Sequence, residues 1–327
     1  MGTEDFDDLQ RAWLPARRLT PQGLPINDRG ARVVERILEK LEGAYAPRTI
    51  VAYRADFYRF SAWCEGLGLH ACPAAPKTVA RYVQFLSRSL KITTLRRMIA
   101  CIRRLHQLAA VVDPTTHIDV QFALRRAARR QLARPKQALG ITLDLREKLM
   151  ATCGEDLCGL RDRALLAVGF ETLARASELV SFNVDNLRRH YKGGSATLIA
   201  RGKTDLACFG RLVVLSRRTS ALLTEWLVSA DIDRGPIFRP IYQGHVVPRR
   251  LESRRVGRIL KERARVAGLR EAEAISGHSL RVGAAKQLTI NGHGLPQIMR
   301  AGGWRSVTTV ARYIESAEMT LWEDAEG

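Results

Sequence analysis

Apolar side chains recur every three or four positions along most of this chain, which is the spacing of one face of an α-helix. The clearest example is the set Ile50, Tyr53, Phe57, Phe60 and Trp63. Further helices are predicted at 76–89, 94–110, 121–132, 143–153, 160–173, 219–229, 253–267, 279–291, 296–301 and 307–314. Two short runs, 196–200 and 211–215, favour β-strands, and a turn-rich segment separates them. The sequence therefore predicts a mainly α fold with a small antiparallel β-sheet in the second domain.

A stretch containing Pro and Gly divides the chain in two. At about 100–200 residues per domain, 327 residues suggest two domains. Residues 133–140 include Pro135 and Gly140, which are typical of a linker. We expect a flexible N-terminal lead at 1–30, a helical domain at 31–132, a second domain at 141–315 and a C-terminal tail at 316–327.

The positive charge is concentrated in the first of these domains. The chain has 53 Lys and Arg against 33 Asp and Glu, a net charge of +20, and residues 31–140 alone carry +13. Such a segment repels itself unless a polyanion is near, so a nucleic acid is the expected partner. A basic surface that only keeps the chain soluble is the open alternative. Aromatic residues make up 6% and do not alternate with the basic ones, which favours duplex phosphates over stacked single-stranded bases.

Membrane, secreted and metal-binding proteins are disfavoured by the same sequence. No apolar run reaches the roughly 18 residues of a membrane span, and the acidic residues among the first ten do not fit a signal peptide. The six cysteines form no CxxC pair and have no His framework nearby. We therefore expect a cytoplasmic protein with reduced thiols, no metal site and no cofactor.

Four short motifs in the second domain carry residues suited to phosphate chemistry. They are Thr172-Leu-Ala-Arg175-Ala-Ser-Glu178, Arg201-Gly-Lys203, Gly277-His278-Ser-Leu-Arg281, and Gly-Gly-Trp304 with Tyr313 nine residues later. Taken singly, each has a structural explanation. Arg175 could form a salt bridge with Glu178, and Lys203 could be a solvated turn lysine. The His and Arg of the third motif could be a surface pair, and the two aromatic residues of the fourth could be packed in the core.

In their order and spacing the four motifs together resemble the tyrosine recombinase (phage integrase) family, and the resemblance covers most of the chain from about residue 45. It implies a helical core-binding domain and a catalytic domain that close around DNA as a clamp. The implied activity is site-specific recombination, in which duplex DNA is cleaved and rejoined through a 3′-phosphotyrosine intermediate. The implied partners are two double-stranded sites with inverted repeats and further copies of the chain in a homotetramer, with no small-molecule substrate and no membrane.

The resemblance also assigns the groups that meet the phosphate. Tyr313 is the nucleophile, which stays attached to the DNA and so preserves the bond energy for rejoining. Arg175 and Arg281 stabilise the phosphate, because a planar guanidinium donates paired hydrogen bonds and keeps its charge. No metal ion is needed beside them, and the sequence has no carboxylate cluster to hold one.

The remaining motif residues are assigned to proton transfer and orientation. His278 accepts the tyrosine proton or contacts the phosphate, and Lys203 is the general acid for the leaving 5′ oxygen. Trp304 donates a hydrogen bond to the phosphate from its indole. Glu178 orients His278 or Arg175.

Basic residues outside the motifs are candidates for DNA contact. Arg254 matches a position at which a family member reads a base edge, where an arginine can bond guanine O6 and N7. Contact with phosphate alone is the open alternative. The other candidates, expected to contact the DNA backbone, are Arg255 and Arg258 in the second domain and Arg48, Arg54, Lys91, Arg96 and Arg97 in the first.

Two other functions stay open at this stage. A type IB topoisomerase-like or telomere-resolving enzyme would use the same residues without exchanging strands between sites, and a catalytically silent DNA-binding regulator would share the fold. The resemblance further implies a prokaryotic, plasmid- or phage-borne element. It also implies that an apolar tail segment, with Met319, Leu321 and Trp322, docks on a neighbouring subunit.

Overall fold

The computed structural model of the chain describes residues 35–131, 137–190, 194–199 and 210–315. The chain divides into two compact units, Met1–Arg134 and Pro135–Gly327. Helices predominate in both, and the described β-strands all belong to the second unit. The fold class predicted from the sequence is confirmed. No helix in the described ranges is both long and apolar enough to cross a membrane.

The described part of the first unit is built from helices. A helical segment at 35–39 precedes α1 (Pro47–Glu65), α2 (Pro76–Leu86), α3 (Ile92–Leu108) and α4 (Ile118–Arg130). Proline in the first turn of α1 and of α2 presets φ where the backbone N–H has no helical partner. Aromatic rings fill the core: Phe60 and Trp63 of α1 lie with their centroids 4.9 and 5.0 Å from that of Tyr82 in α2.

The second unit combines helices with two small antiparallel sheets. Its elements are α5 (Leu143–Ala151), α6 (Leu157–Glu171), α7 (Ala176–Leu179), β1 (Arg188–Arg189), β2 (Ser195–Ile199), β3 (Arg211–Leu215), α8 (Arg217–Ser229), β4 (Ile241–Tyr242), β5 (His245–Val246), α9 (Ser253–Val266), α10 (Ser279–Ile290), α11 (Leu295–Gly302) and α12 (Val307–Ile314). One sheet has the order β1-β2-β3, with Ala196 opposite Val214 and Ile199 opposite Arg211. The other is the hairpin β4-β5.

The predicted helices are all present, with ends that differ from the prediction by at most three residues. The short elements β1, α7 and the β4-β5 hairpin were not predicted, because four residues or fewer are too short to show a period. The predicted strand at 211–215 is found without change, and the one at 196–200 becomes Ser195–Ile199.

Helix α6 is the buried centre of the second unit and determines where the motifs meet. Its residues from 164 to 170 are apolar or glycine, and all of them are buried. Close packing of α10 depends on Gly283, where a Cβ would lie 1.7 Å from the carbonyl oxygen of Ile141. The end of α6 lies beside the start of α10, because the carbonyl of Leu173 accepts a hydrogen bond from Arg281.

Candidate active site

Arg175 and Glu178 lie at the junction that follows α6. Arg175 has extended backbone and precedes the first residue of α7, and its N–H donates to Oε2 of Glu178 at 2.9 Å. Its Nη1 donates to Oε1 of the same carboxylate. The side chains are 25% and 9% exposed, so the pair is largely shielded from water. The salt bridge considered as a structural explanation is therefore present.

Arg281 is a buried cation in the first turn of α10, with 1% of its surface exposed. Its Nη1 donates to the carbonyl of Leu173, and its guanidinium carbon lies 3.9 Å from the centroid of the Trp304 ring. Its Nη2 is buried and has no hydrogen-bond acceptor among the described residues. The pKa of Arg281 is lowered to about 10, mainly by burial and then by the charges of Arg175 and Arg211, while Glu178 and Tyr313 act in the opposite direction. The group therefore stays charged at pH 7 and retains a donor for an anion.

Trp304 reaches Arg281 because two glycines precede it. A Cβ on Gly302 would lie 1.9 Å from Cζ3 of the indole, and Gly303 has a φ of 66°, in the left-handed region. The Tyr313 ring of α12 meets the indole edge-on, with centroids 5.8 Å apart at an angle of 63°. Arg281, Trp304 and Tyr313 thus form one continuous stack.

His278 is the residue before the first turn of α10, and Arg281 lies within that turn. Its N–H donates to Oγ of Ser276 at 3.1 Å. Although His278 is exposed overall, the protein removes part of the water around its ring, and this lowers its pKa. The charges of Arg281 and Arg175 lower the pKa further, while Glu178 raises it. The imidazole is therefore neutral at pH 7 and able to accept a proton.

A groove of about 240 Å³ lies between the segment of Arg175 and Glu178 and the segment of Trp304. Its walls include Arg175, Glu178 and Trp304. They also include Arg211, which was not among the residues predicted from the sequence. The strand predicted at 211–215 could have indicated Arg211, because side chains alternate along a strand. Arg211 therefore shares a face with Val213 and Leu215, which are buried. The groove is thus basic, with one buried carboxylate. Among the described residues, no group of three or more His, Cys, Asp or Glu could hold a metal ion.

The structure brings together six of the seven predicted catalytic residues: Arg175, Glu178, His278, Arg281, Trp304 and Tyr313. Lys203 lies outside the described residues, as do the tail residues Met319, Leu321 and Trp322.

The predicted DNA contacts fall into two groups. Three arginines are bound by carboxylates: Arg254 by Glu252, Arg54 by Glu35 and Arg97 by Asp56. The others are Arg48, Lys91 and Arg96 in the first unit and Arg255 and Arg258 on α9, all exposed.

Comparisons with known proteins agree with this arrangement. Residues 141–319 match the phage integrase family, and residues 36–111 match the N-terminal SAM-like domain of phage integrases. An integrase/recombinase XerD homolog of Selenomonas ruminantium is 32% identical over 293 residues, covering 86% of this chain and 85% of the relative. The recombinase Cre of Escherichia phage P1 is 28% identical over 280 residues, covering 79% of this chain and 81% of the relative.

Solved structures share the fold at lower identity. The XerH site-specific recombinase bound to a palindromic difH substrate has a TM-score of 0.63 at 17% identity, covering 94% of this chain and 90% of XerH. A lambda integrase dimer bound to a COC′ core site has a TM-score of 0.61 at 13% identity, covering 97% of this chain and 87% of that structure's chain.

Proposed function

The chain belongs to the phage integrase family of tyrosine recombinases, and from that membership we propose how its residues carry out site-specific recombination. It is an enzyme that cleaves and rejoins DNA. One observation carries the proposal: three segments distant in sequence, 172–178, 278–281 and 302–313, meet through the Arg281–Trp304–Tyr313 stack and the groove beside it.

We assign Arg175 and Arg281 to the phosphate that is cleaved. Negative charge accumulates on its non-bridging oxygens in the transition state, and guanidinium groups in a shielded site stabilise that charge strongly. Support comes from the buried Nη2 of Arg281, which has no acceptor among the described residues and which a phosphate oxygen would satisfy. Trp304, against the guanidinium of Arg281, would restrict its plane and donate a further bond from the indole N–H.

Tyr313 is the proposed nucleophile. Its Oη attacks phosphorus, the bond from phosphorus to the 5′ oxygen breaks, and a 3′-phosphotyrosine forms. Because free tyrosine has a pKa of about 10, its proton needs an acceptor, and the lowered pKa of His278 leaves that imidazole unprotonated and available as one. Lys203 would protonate the leaving oxygen. A 5′-hydroxyl of the exchanged strand then attacks the phosphotyrosine and releases Tyr313.

We further propose that the chain acts as a homotetramer on two DNA sites with inverted repeats. The XerH structure contains a palindromic substrate, and the lambda integrase structure contains a dimer on its core site, so two copies for each of two sites is the supported arrangement. A second groove of about 390 Å³, with Leu143, Phe170 and Leu288 in its wall, supports the docking of the apolar tail of a neighbouring copy.

The domain limits and the setting are also proposals. A core-binding domain at 31–132, a linker at 133–140 and a catalytic domain at 141–315 are supported by the division of the chain at Arg134 and Pro135. A prokaryotic cytoplasm and a plasmid- or phage-borne element are supported by the relative from Escherichia phage P1. We propose that both domains close around the duplex.

Covalent trapping tests the proposed chemistry. A cleavage site is first selected from randomised duplex DNA by denaturant-resistant capture with the wild-type chain. A nicked version of that duplex, which loses its 5′-hydroxyl fragment on cleavage, should accumulate the protein–DNA adduct. Tyr313→Phe should bind the duplex and form no adduct. An adduct formed by the Phe variant would show that Tyr313 is not the nucleophile.

A two-site plasmid separates recombination from simple nicking and rejoining. A plasmid that carries two selected sites should yield deletion or inversion products with the wild-type chain. Relaxation of supercoils without exchanged products would instead indicate a topoisomerase-like reaction.

A further inference from the structure

Arg211 is a largely buried arginine in the groove, and the reaction above gives it no role. It is the first residue of β3, and its side chain is 16% exposed. Burial lowers its pKa, the nearby Glu178 raises it, and Arg175 lowers it. Removing a guanidinium from water is costly unless polar partners replace the water. The partners of Arg211 therefore indicate its function.

One nitrogen of Arg211 joins two segments of the active site. Nη1 donates to the carbonyl of Thr172 at 2.7 Å and also to the carbonyl of Ala301. Thr172 caps the end of α6 and Ala301 lies in the last turn of α11, where carbonyl groups lack helical partners and carry partial negative charge. These carbonyls lie three residues before Arg175 and three before Trp304. Arg211 therefore ties together the two chain segments that carry those side chains.

The other terminal nitrogen of Arg211 is held close to the carboxylate of Glu178. Nη2 lies 4.0 Å from Oε2 and has no hydrogen-bond acceptor among the described residues. Glu178 is occupied by Arg175, which donates to it from both its backbone N–H and its Nη1. Two guanidinium groups therefore face one buried carboxylate, and only Arg175 is bonded to it.

Phosphate binding would change this balance. If Arg175 turns its guanidinium to a phosphate, Glu178 loses one donor, and a buried carboxylate that is left underpaired is unfavourable. Nη2 of Arg211 would need to move by only about 1 Å to reach hydrogen-bond distance. No other change of partners is required, because Nη1 already has both its acceptors.

We propose that Arg211 is a positioning residue for DNA cleavage, which replaces Arg175 as the partner of Glu178 when Arg175 binds the phosphate. The inference rests on the proposed role of Arg175. Without Arg211, the carboxylate of Glu178 keeps Arg175, and DNA binds without being cleaved efficiently. A residue that only stabilised the fold would have no such dependence on the charge of Glu178.

The test measures single-turnover cleavage of the nicked duplex at saturating protein, with DNA affinity and melting temperature for each variant. Arg211→Met keeps the length of the side chain and removes its donors. It should cut the cleavage rate by about 100-fold, as expected for loss of an interaction needed in the transition state, while affinity changes little.

The matched control is Arg263→Met on α9. Arg263 is 17% exposed, donates to the carbonyl of Thr152 at 2.9 Å and lies 3.7 Å from Asp162. The Arg263→Met variant should be less stable, while its folded fraction should cleave at the wild-type rate.

The decisive variant is the double substitution Arg211→Met with Glu178→Gln. A neutral amide does not hold Arg175 as an ion pair, so the double variant should cleave faster than Arg211→Met alone. If the double variant is as slow as Arg211→Met, or slower, at equal folded fraction, Arg211 is structural and the inference is wrong.

Arg175→Lys separates this inference from the proposal on which it rests. Cleavage by Arg175→Lys at the wild-type rate would overturn the role of Arg175 and this inference together. Loss of cleavage in Arg175→Lys with normal cleavage in Arg211→Met would overturn the inference alone.

Discussion

The two units of this recombinase use arginine in contrasting ways. In the first unit, Arg97 is 44% exposed and its partner is the side chain of Asp56. In the second unit, Arg281 is buried and Arg211 is largely buried; both donate to backbone carbonyls, and each keeps an Nη2 without an acceptor among the described residues. An arginine at the surface keeps most of its hydration. A buried arginine with an unused donor is costly until an anion arrives.

The difference separates affinity from catalysis. Exposed charges attract the DNA backbone through a diffuse, salt-sensitive field in which each residue contributes little. Buried guanidinium groups contribute where charge develops during the reaction, because the low polarity of the site strengthens the interaction. Substitutions of the shielded arginines of the active site should therefore change the rate of cleavage, and substitutions of exposed basic residues of the first unit such as Arg96 should change binding.

The largest effect is expected at Arg281. The ammonium group of a lysine cannot donate to the carbonyl of Leu173, lie flat against Trp304 and bind a phosphate at the same time. Arg281→Lys should lower the single-turnover cleavage rate by about 1000-fold with DNA affinity nearly unchanged. Arg258→Lys, on the exposed face of α9, provides the control. A rate for Arg281→Lys within tenfold of wild type would remove the distinction between the two uses of arginine.

A smaller effect is expected at His278, where neighbouring cations act on a proton acceptor. Because its pKa is lowered from 6.5, the ring stays neutral as the pH falls to 6.5 and becomes charged only below that. Cleavage measured at subsaturating DNA, which reports the free enzyme, should therefore hold its rate down to pH 6.5 and decline at lower pH.

His278→Gln supplies the control for that profile. It should cleave about 100-fold more slowly and lose the acid decline. If the decline persists in the Gln variant, another group accepts the proton.

The sequence was enough to select residues that the structure brings together, but it gave no indication of their contacts. Order and spacing of motifs were enough to select Arg281, Trp304 and Tyr313, because a family resemblance is carried by residue types. The stack that they form depends on how α10, α11 and α12 pack, which no local pattern contains. Arg211 was missed for the same reason: its two carbonyl acceptors are 39 and 90 residues away in sequence.

Helices were predicted more reliably than strands because their period extends over many residues. The long amphipathic helices α1 and α3 show it over several turns. The two-residue strands β4 and β5 have no period to detect, and only the backbone pairing of Ile241 with Val246 and of Tyr242 with His245 defines them. Their existence depends on tertiary contacts.

Gly302 tests whether the stack, and not only its charges, determines the rate. A Cβ there would lie 1.9 Å from the indole of Trp304, so the ring has to move away from Arg281. Gly302→Ala should lower the free energy of unfolding by about 2 kcal/mol and slow cleavage. Gly294→Ala is the control, since the nearest atom to its Cβ would be 3.8 Å away. Thermal unfolding and the cleavage assay check both, and a Gly302→Ala protein that cleaves at the wild-type rate would show that Trp304 need not lie against Arg281.

The smallest effect is expected at Arg96, and its neighbour Arg97 provides the contrast. Arg96 is exposed on α3 and forms no ion pair with another described residue, whereas Arg97 pairs with the buried Asp56, whose pKa is raised by burial. Arg96→Ala should weaken DNA binding a few-fold and reduce the slope of log affinity against log salt by about 1, as expected for one phosphate contact, with cleavage at saturation unchanged. Arg97→Ala should instead lower the melting temperature, because it leaves a buried carboxylate without its closest cation. If Arg96→Ala slows cleavage at saturating DNA, the first unit contributes to the transition state as well as to binding.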